Sequence, residues 1–479
     1  MRERITLVHS PDTGIEPEAL GLDISGLHAP PVEAVREDRL TLAIDGLPLE
    51  VAQVLQNFRE LHLRWSSPRA YKTLDPFASR LSPGFHVSYT PSSDSTSLPL
   101  AFTEIKDQHS SGKPTLYFYG PLEDLNVFSN VLRGVLCRGD ETCKTRAIEL
   151  ESAVALDFDF DSETEVSKLA ALWPLKEQKV DIDASETVRT EVGVLAQGSP
   201  PNMGTHDIGV GGILAVLGER KKPSPTLFAF PSRHRLSGMG FSSRFLLPTG
   251  LHPTLEMTLS HNQPPERDAD CRPYAYLTLP KTIFADRYQL DDALFMASKN
   301  LTAARNTSLP VDLEAPAYTT RVWGSSVLIE MAPPSAGETQ EWTAQVPLHL
   351  RYLEPSATGE RAIEVPYPAV FWACQADRTI DFTNNPFDRR NLGYDSLFDS
   401  NTVFWHVEPR PSEGETIINS ITVPVLRQEA TSWVSLGTAG VIALGFAWVM
   451  WKVVGAYMKH GHGASPHDDG KATTEKKTR

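Results

Sequence analysis

A chain of 479 residues has room for two or three domains, and its 41% hydrophobic and 9% aromatic content excludes long disorder. A net charge of −15 excludes the concentrated basic face that nucleic-acid phosphates require. With 37 prolines against 31 glycines, short strands and turns are favoured over long helices.

Residues 1–224 predict a mixed α and β region. "MRERITLVHSPDTGIEPEAL" is charged and lacks an apolar h-region, so it does not have the form of a cleaved signal peptide. "RITLVHS" and "RLTLAIDG" alternate as strands do, and "LHLRWSS" repeats that alternation. Between them, "PLEVAQVLQNFREL" opens on Pro48 and spaces its apolar residues as a helix does. Cys137 and Cys143 bracket "RGDET". "DFDFDSETE" invites a calcium reading. A loop starting at Asp157 needs Gly at its sixth position and Glu at its twelfth, and these are Ser162 and Lys168. "SETEVSKLAALW" predicts instead a helix capped by Ser162, with Glu165 closing the capping box. "GVGGILAVLGERKK" (Gly209 to Lys222) does not fit the phosphate-loop pattern and predicts a packed apolar segment.

Residues 225–428 predict a β-rich, sandwich-like domain. "PTLFAF", "TLEMTLSH", "YAYLTLP", "VWGSSVLIEM", "YPAVFWAC", "NTVFWHVEP" and "IINSITVPV" follow one another between turn signals. In "AQVPLHLRYL", Val346, Leu348, Leu350 and Tyr352 are predicted on one strand face, with His349 and Arg351 on the other. Asn300 and Asn306 head glycosylation sequons. Four cysteines fit two disulfides, and sequence alone allows three pairings as well as free thiols. No serine-hydrolase, zinc-protease, kinase or redox signature occurs.

From Thr431 to Trp451 there is no charged residue, and Trp433, Trp448 and Trp451 stand where interfacial anchors stand. A membrane helix is predicted over 431–454. Ser435, Ala439, Ala443 and Ala447 make a small-residue stripe on one of its faces. Lys452, Lys459, Lys471, Lys476, Lys477 and Arg479 follow the span, whereas Arg427 is the one basic residue among the fifteen before it. This bias places the tail, 455–479, in the cytosol and the body across the membrane; a tail-anchored protein with a cytosolic body is the competing topology. On the cytosolic side Lys476 and Lys477 have the spacing of a dilysine retrieval signal of the endoplasmic reticulum. His460, His462 and His467 belong to the polar tail.

"YAYLTLPKTIFADRYQL" (274–290), "PLHLRYLEP" (347–355) and "VPYPAVFWAC" (365–374), followed by the span and a short tail, resemble the PIG-X family in order and spacing. The residues that carry the likeness are Leu279, Pro280, Asp286, Arg287, Tyr288, His349, Arg351, Tyr352 and Cys374, and the long N-terminal half is similar to the fungal branch. The resemblance implies a non-catalytic subunit of the endoplasmic reticulum mannosyltransferase that adds the first mannose during glycosylphosphatidylinositol-anchor biosynthesis. It implies a multi-spanning catalytic partner, no cofactor or metal, and a chaperone-like role towards other proteins of that compartment. A lumenal glycan- or cargo-binding receptor and a glycan-processing enzyme are the alternatives. Cys271 and Cys374 both fall in the PIG-X-like region ahead of the span, so a bridge between them is expected, with Cys137–Cys143 as the second.

Overall fold

The computed structural model describes residues 1–461 except 16–18, 93–100, 106–114, 136, 138–140, 186, 220–221, 249, 267–268, 309–314 and 335–339. Twelve strands form the first sheet: β1 (Arg2–His9), β2 (Gly21–Leu22), β3 (Gly26–Ala43), β4 (Phe58–Ser66), β5 (Gly84–Pro91), β6 (Thr103–Ile105), β7 (Thr115–Gly120), β8 (Ala155–Asp161), β9 (Val166–Asp183), β10 (Arg189–Gln197), β11 (Asp207–Val216) and β12 (Ser224–Pro231). Their order is β12-β11-β10-β1-β3-β9-β8-β4-β5-β7-β6, with β2 on β3. The first strand of the chain is therefore interior to the sheet. β1 lies antiparallel to β3 and parallel to β10, Ile5 standing opposite Asp38 on one side and Val192 on the other.

The run "ITLV" explains that position. Ile5 and Leu7 pack with Leu27, Val180, Val192 and Val194 on one face. Val8 packs with Val35, Leu195, Phe230 and Phe77 on the other. A strand apolar on both faces belongs inside a sheet, and each such side chain buried contributes roughly 1.5–3 kcal/mol. The glycine-rich run is β11, where the backbone comes close to β10. A Cβ on Gly212, at φ +153°, would fall 2.2 Å from the Val194 carbonyl oxygen.

The region 1–224 is mainly β. Among the described residues its helices are α1 (Leu49–Leu55), α2 (Asn126–Val135) and α3 (Glu141–Glu149), with a few single turns besides. The predicted capped helix at Ser162 is a correction: the chain turns there and continues as the 18-residue strand β9. Asp161 accepts the Glu163 amide, Glu165 takes the left-handed conformation at φ +54°, and its carbonyl accepts the Ile44 amide. Leu169, Ala171 and Trp173 alternate with the period of two that a strand face has, and pack in one cluster, while the capping signature at Ser162 favours a helix locally. Pairing with β8 on one side and β3 on the other outweighs that local preference.

Strands of the second half are β13 (His234–Phe245), β14 (Thr254–Leu259), β15 (Cys271–Pro280), β16 (Ile283–Phe284), β17 (Leu301–Thr307), β18 (Gly324–Met331), β19 (Trp342–Pro347), β20 (His349–Leu350), β21 (Glu360–Pro366), β22 (Ala369–Gln375), β23 (Thr402–Pro409) and β24 (Ile418–Pro424). The eight-stranded order is β17-β18-β15-β22-β23-β13-β14-β19, and β16–β20 and β21–β24 form two-stranded ribbons. One face buries Leu255, Met257, Leu277, Ile329, Val346 and Trp372; the other buries Tyr276, Phe371, Tyr394 and Phe404. Residues 225–230 join the first sheet through β12.

"AQVPLHLRYL" departs from its predicted faces. The strand breaks after Pro347, and the Leu348 amide is taken by the Pro253 carbonyl. β20 then pairs with β16, Phe284 opposite His349. Val346 and Leu348 stay buried, but Arg351 is buried and Tyr352 is exposed. A proline before the next strand and a change of partner reset the alternation.

Residues 1–353 and 362–423 form one compact unit. The second comprises 354–361 and 424–479. Within it Ser356 exchanges backbone bonds with Leu426 and Gln428, 3.1 and 2.9 Å, directly ahead of α5 (Thr431–His460). At 1.5 Å per residue α5 is about 45 Å long, enough to cross a hydrocarbon core of about 30 Å. Its apolar window is wholly exposed, which distinguishes it from the core helix of a soluble domain.

Candidate functional site

The residues singled out from "TIFADRYQL" and "HLRYL" come together on the β16–β20 ribbon. The Asp286 carboxylate accepts the Tyr288 amide at 2.9 Å, and its carbonyl accepts the Leu290 amide at 3.0 Å, so this aspartate turns the chain. Arg287 and Tyr288 are left outside, the guanidinium 4.7 Å from the centre of the exposed phenol ring. Phe284 lies between His349, stacked at 5.4 Å, and Arg351, whose guanidinium is 4.4 Å from the ring centre. Arg351 donates to the Ala315 carbonyl at 2.8 Å. His349 meets Gln289 at 2.9 Å and the His252 ring nitrogen at 3.0 Å; burial first and His252 second push its pKa down. Asp286, His349 and Arg351 thus hold the ribbon, whereas Arg287, Tyr288 and Tyr352 face outward.

A second feature is a cleft of about 620 Å³ on the polar face of the first sheet, closed by the loop 383–391. Period-two alternation puts Glu60, His62 and Arg64 of β4 beside Asp157, Asp159 and Asp161 of β8, with His62 opposite Asp159 and Arg64 opposite Asp157. The acidic run "DFDFD" is therefore one rail of an ion-pair ladder. Arg64, 3% exposed, donates to Asp159 at 2.5 Å and to the Arg390 carbonyl at 2.9 Å. Arg389 grips Asp157 with two bonds of 2.5 and 2.8 Å, and Arg39 donates to the Pro386 carbonyl. Burial opposes ionisation of Asp159, but Arg64 and then His62 hold its carboxyl well below the usual range. Six Lys or Arg side chains line the cleft against six Asp or Glu, so it carries no field to collect an anion. Its arginines tie residues 383–391 of the second half to the first sheet.

Aromatic packing continues this joint inward. Phe387 packs on Phe77 and Phe230, and the Tyr394 hydroxyl donates to the Arg80 carbonyl at 2.9 Å. Over its whole length, 100% of each chain, the sequence is 48% identical to Protein PBN1 of Gibberella zeae. The chain belongs to the PIG-X / PBN1 family. The family profile matches residues 248–454, from β14 through most of α5, and so includes the β16–β20 ribbon. Protein pbn1 of Emericella nidulans is 36% identical over 95% of both chains, and Protein PBN1 of Yarrowia lipolytica is 26% identical over 80% of this chain and 82% of its own. The Fcho1 mu homology domain of Danio rerio, solved with a bound Eps15 peptide, aligns with 89% of this chain and 95% of its own at 11% identity. Its TM-score of 0.15 carries no argument.

Cys271 and Cys374 face each other across β15 and β22 and are bonded, S–S 2.02 Å; Cys137 and Cys143 are bonded at 1.97 Å. Asn300 sits at φ +54° and donates its side-chain amide to the Thr343 carbonyl at 2.7 Å, whereas Asn306 lies on the edge strand β17. Ser435, Ala439, Ala443 and Ala447 are exposed along α5. Lys476 and Lys477 lie outside the described residues. Sequence reading missed the cleft, because "NPFDRRNLGYD" has no periodicity and the cleft partners of its arginines, Asp157 and Arg64, stand over 220 residues away. The charges of "DFDFD" were the one local signal, and their arginine partners became visible only on folding.

Proposed function

We propose that this chain is a non-catalytic, single-pass subunit of the endoplasmic reticulum mannosyltransferase that adds the first mannose to the glycosylphosphatidylinositol precursor. It stabilises a multi-spanning catalytic subunit and assists the folding of other proteins in that compartment. Membership of the PIG-X / PBN1 family along the full length carries this reading. The ion-pair ladder supports it: Asp157 and Asp159 are saturated by Arg389, Arg64 and His62, as in a scaffold rather than in a pair of free catalytic carboxylates. The basic flank after α5 supports a lumenal body with a cytosolic tail.

Affinity purification of the full chain from membranes tests the assignment. The catalytic transferase is expected in stoichiometric amount, and its level is expected to fall when this chain is depleted. A chain that purifies without any transferase, and whose loss leaves the transferase level and first-mannose addition unchanged, is not that subunit. Protease treatment of sealed microsomes tests the topology separately: an N-terminal tag is protected if the body is lumenal and digested if it is cytosolic.

A further inference from the structure

One end of the second sheet exposes side chains that folded proteins usually cover. Leu247 is 84% exposed, Leu251 59%, Tyr288 62%, Tyr318 56% and Tyr352 67%. They sit on four different loops that backbone hydrogen bonds draw to one edge. The Leu350 amide donates to the Leu251 carbonyl at 3.0 Å, the Arg351 amide to Thr282 at 2.9 Å, and the Ala317 amide to Tyr352 at 3.0 Å. A single exposed leucine means nothing, but apolar tips gathered from several loops mark a contact surface.

Composition and connectivity together select what covers it. Tyrosine and leucine tips, with Lys281, Arg287 and Arg321 exposed among the equally exposed Asp291, Asp292 and Glu354, combine an apolar body, a phenol hydroxyl and charges of both signs. That mixture suits the headgroup level of a bilayer, where aromatic rings anchor and cations meet lipid phosphates. The chain leaves this same edge at Tyr352 and, two residues on, enters the segment Glu354–Arg361, whose backbone pairs with Val425–Gln428 just ahead of α5. The edge is therefore tethered by a short stretch of chain to the start of a helix long enough to span a membrane. Tethering raises the local concentration of lipid surface without any further contact.

We propose that the loop edge carrying Leu247, Leu251, Tyr288, Tyr318 and Tyr352 rests in the headgroup region of the bilayer that α5 crosses. The inference rests on α5 being a span, and it is independent of the mannosyltransferase assignment. All four native cysteines are bonded in pairs, so a single introduced cysteine can be labelled alone.

The experiment places the full chain in phosphatidylcholine nanodiscs with an environment-sensitive fluorophore at Leu251→Cys, Tyr352→Cys, Leu444→Cys or Arg378→Cys. Lipids carrying a nitroxide at a shallow position are the quencher. Leu444 lies in α5 and reports the span. Arg378 follows β22 at the far end, about 30 Å away along the ten residues of β15. Labels at 251 and 352 are expected to lose most of their emission, the label at 444 to be quenched most by deeper nitroxides, and the label at 378 to keep its emission. Quenching at 444 but not at 251 and 352 overturns the proposal and leaves the span standing. A blue shift at 251 and 352 that needs added transferase, without lipid quenching, also overturns it and assigns the edge to a protein partner. Absence of quenching at 444 removes the span and the proposal with it.

Discussion

His86 and His234 show how burial fixes the ionisation of single residues. The His86 Nε2–H donates to the Ser82 carbonyl at 2.8 Å, so its Nδ1 accepts the Tyr117 hydroxyl, and the ring is held neutral. His234 stacks on His406 with ring nitrogens 2.9 Å apart, where two positive charges would repel. Burial pushes His86 and His234 down to about 4 each, and His406 well below its ordinary value. Because these folded values lie below the unfolded one, the unfolded chain takes protons first, and stability is lost as pH falls from about 6.5 to about 4. Asp75 has the opposite sign: burial raises it to about 6, so its cost vanishes over the same interval. Each of these displacements is worth about 3 kcal/mol, so the two histidines outweigh the one aspartate. The melting temperature of the compact unit 1–353 and 362–423 in the intact chain is expected to fall steeply between pH 6.5 and 4.5, and a rise on acidification would contradict this account. The sequons differ at the same scale. A glycan on Asn300 would disrupt the bond to Thr343, whereas Asn306 stands on an edge strand. Endoglycosidase treatment is expected to shift the protein on a gel, Asn306→Gln to abolish that shift, and Asn300→Gln to preserve it.

At the scale of elements, the β8–β9 turn offers a direct test of the corrected helix. Glu165 holds a left-handed conformation that costs an L-residue roughly 1–2 kcal/mol. Glu165→Gly is expected to stabilise the protein by about 1 kcal/mol in urea unfolding. In a helix the same change would destabilise by about 1 kcal/mol, so the sign decides. The two disulfides differ by the loop each closes. Cys271–Cys374 spans 103 residues and Cys137–Cys143 spans 6. On chain-entropy grounds they contribute about 5 and about 2 kcal/mol. Replacing Cys271 and Cys374 together by alanine should therefore lower stability more than replacing Cys137 and Cys143, and equal losses would argue against that ranking. Most strands were legible in the sequence because their apolar runs are short and bounded by turn residues, as in "YAYLTLP" and "YPAVFWAC". β9 was not, because its propensity and capping signature are local while its pairing is not. The same distance hid the Arg389–Asp157 link, whose partners are 232 residues apart.

For the whole molecule, α5 is a helix long and apolar enough to join the folded body to a bilayer. If α5 spans a membrane and the stripe of Ser435, Ala439, Ala443 and Ala447 packs on the multi-spanning partner proposed above, replacing Ala439 and Ala443 by leucine should reduce co-purification of that partner several-fold while leaving the chain membrane-bound. Unchanged recovery would move the interface off the helix. The family was legible in three short segments, all within the part the profile matches. The role of the N-terminal sheet was not, since its scaffold is built from contacts spread over two hundred residues. The placement of β1 has a further consequence, one of time. Its seat between β3 and β10 cannot be completed until Gln197 has been made. At roughly 5–20 residues per second, β1 waits about 10–40 s with one edge open. An open strand edge is a template for wrong pairing. β1 thus keeps one edge open until β10 has followed it, long after β3 has become available to its other edge.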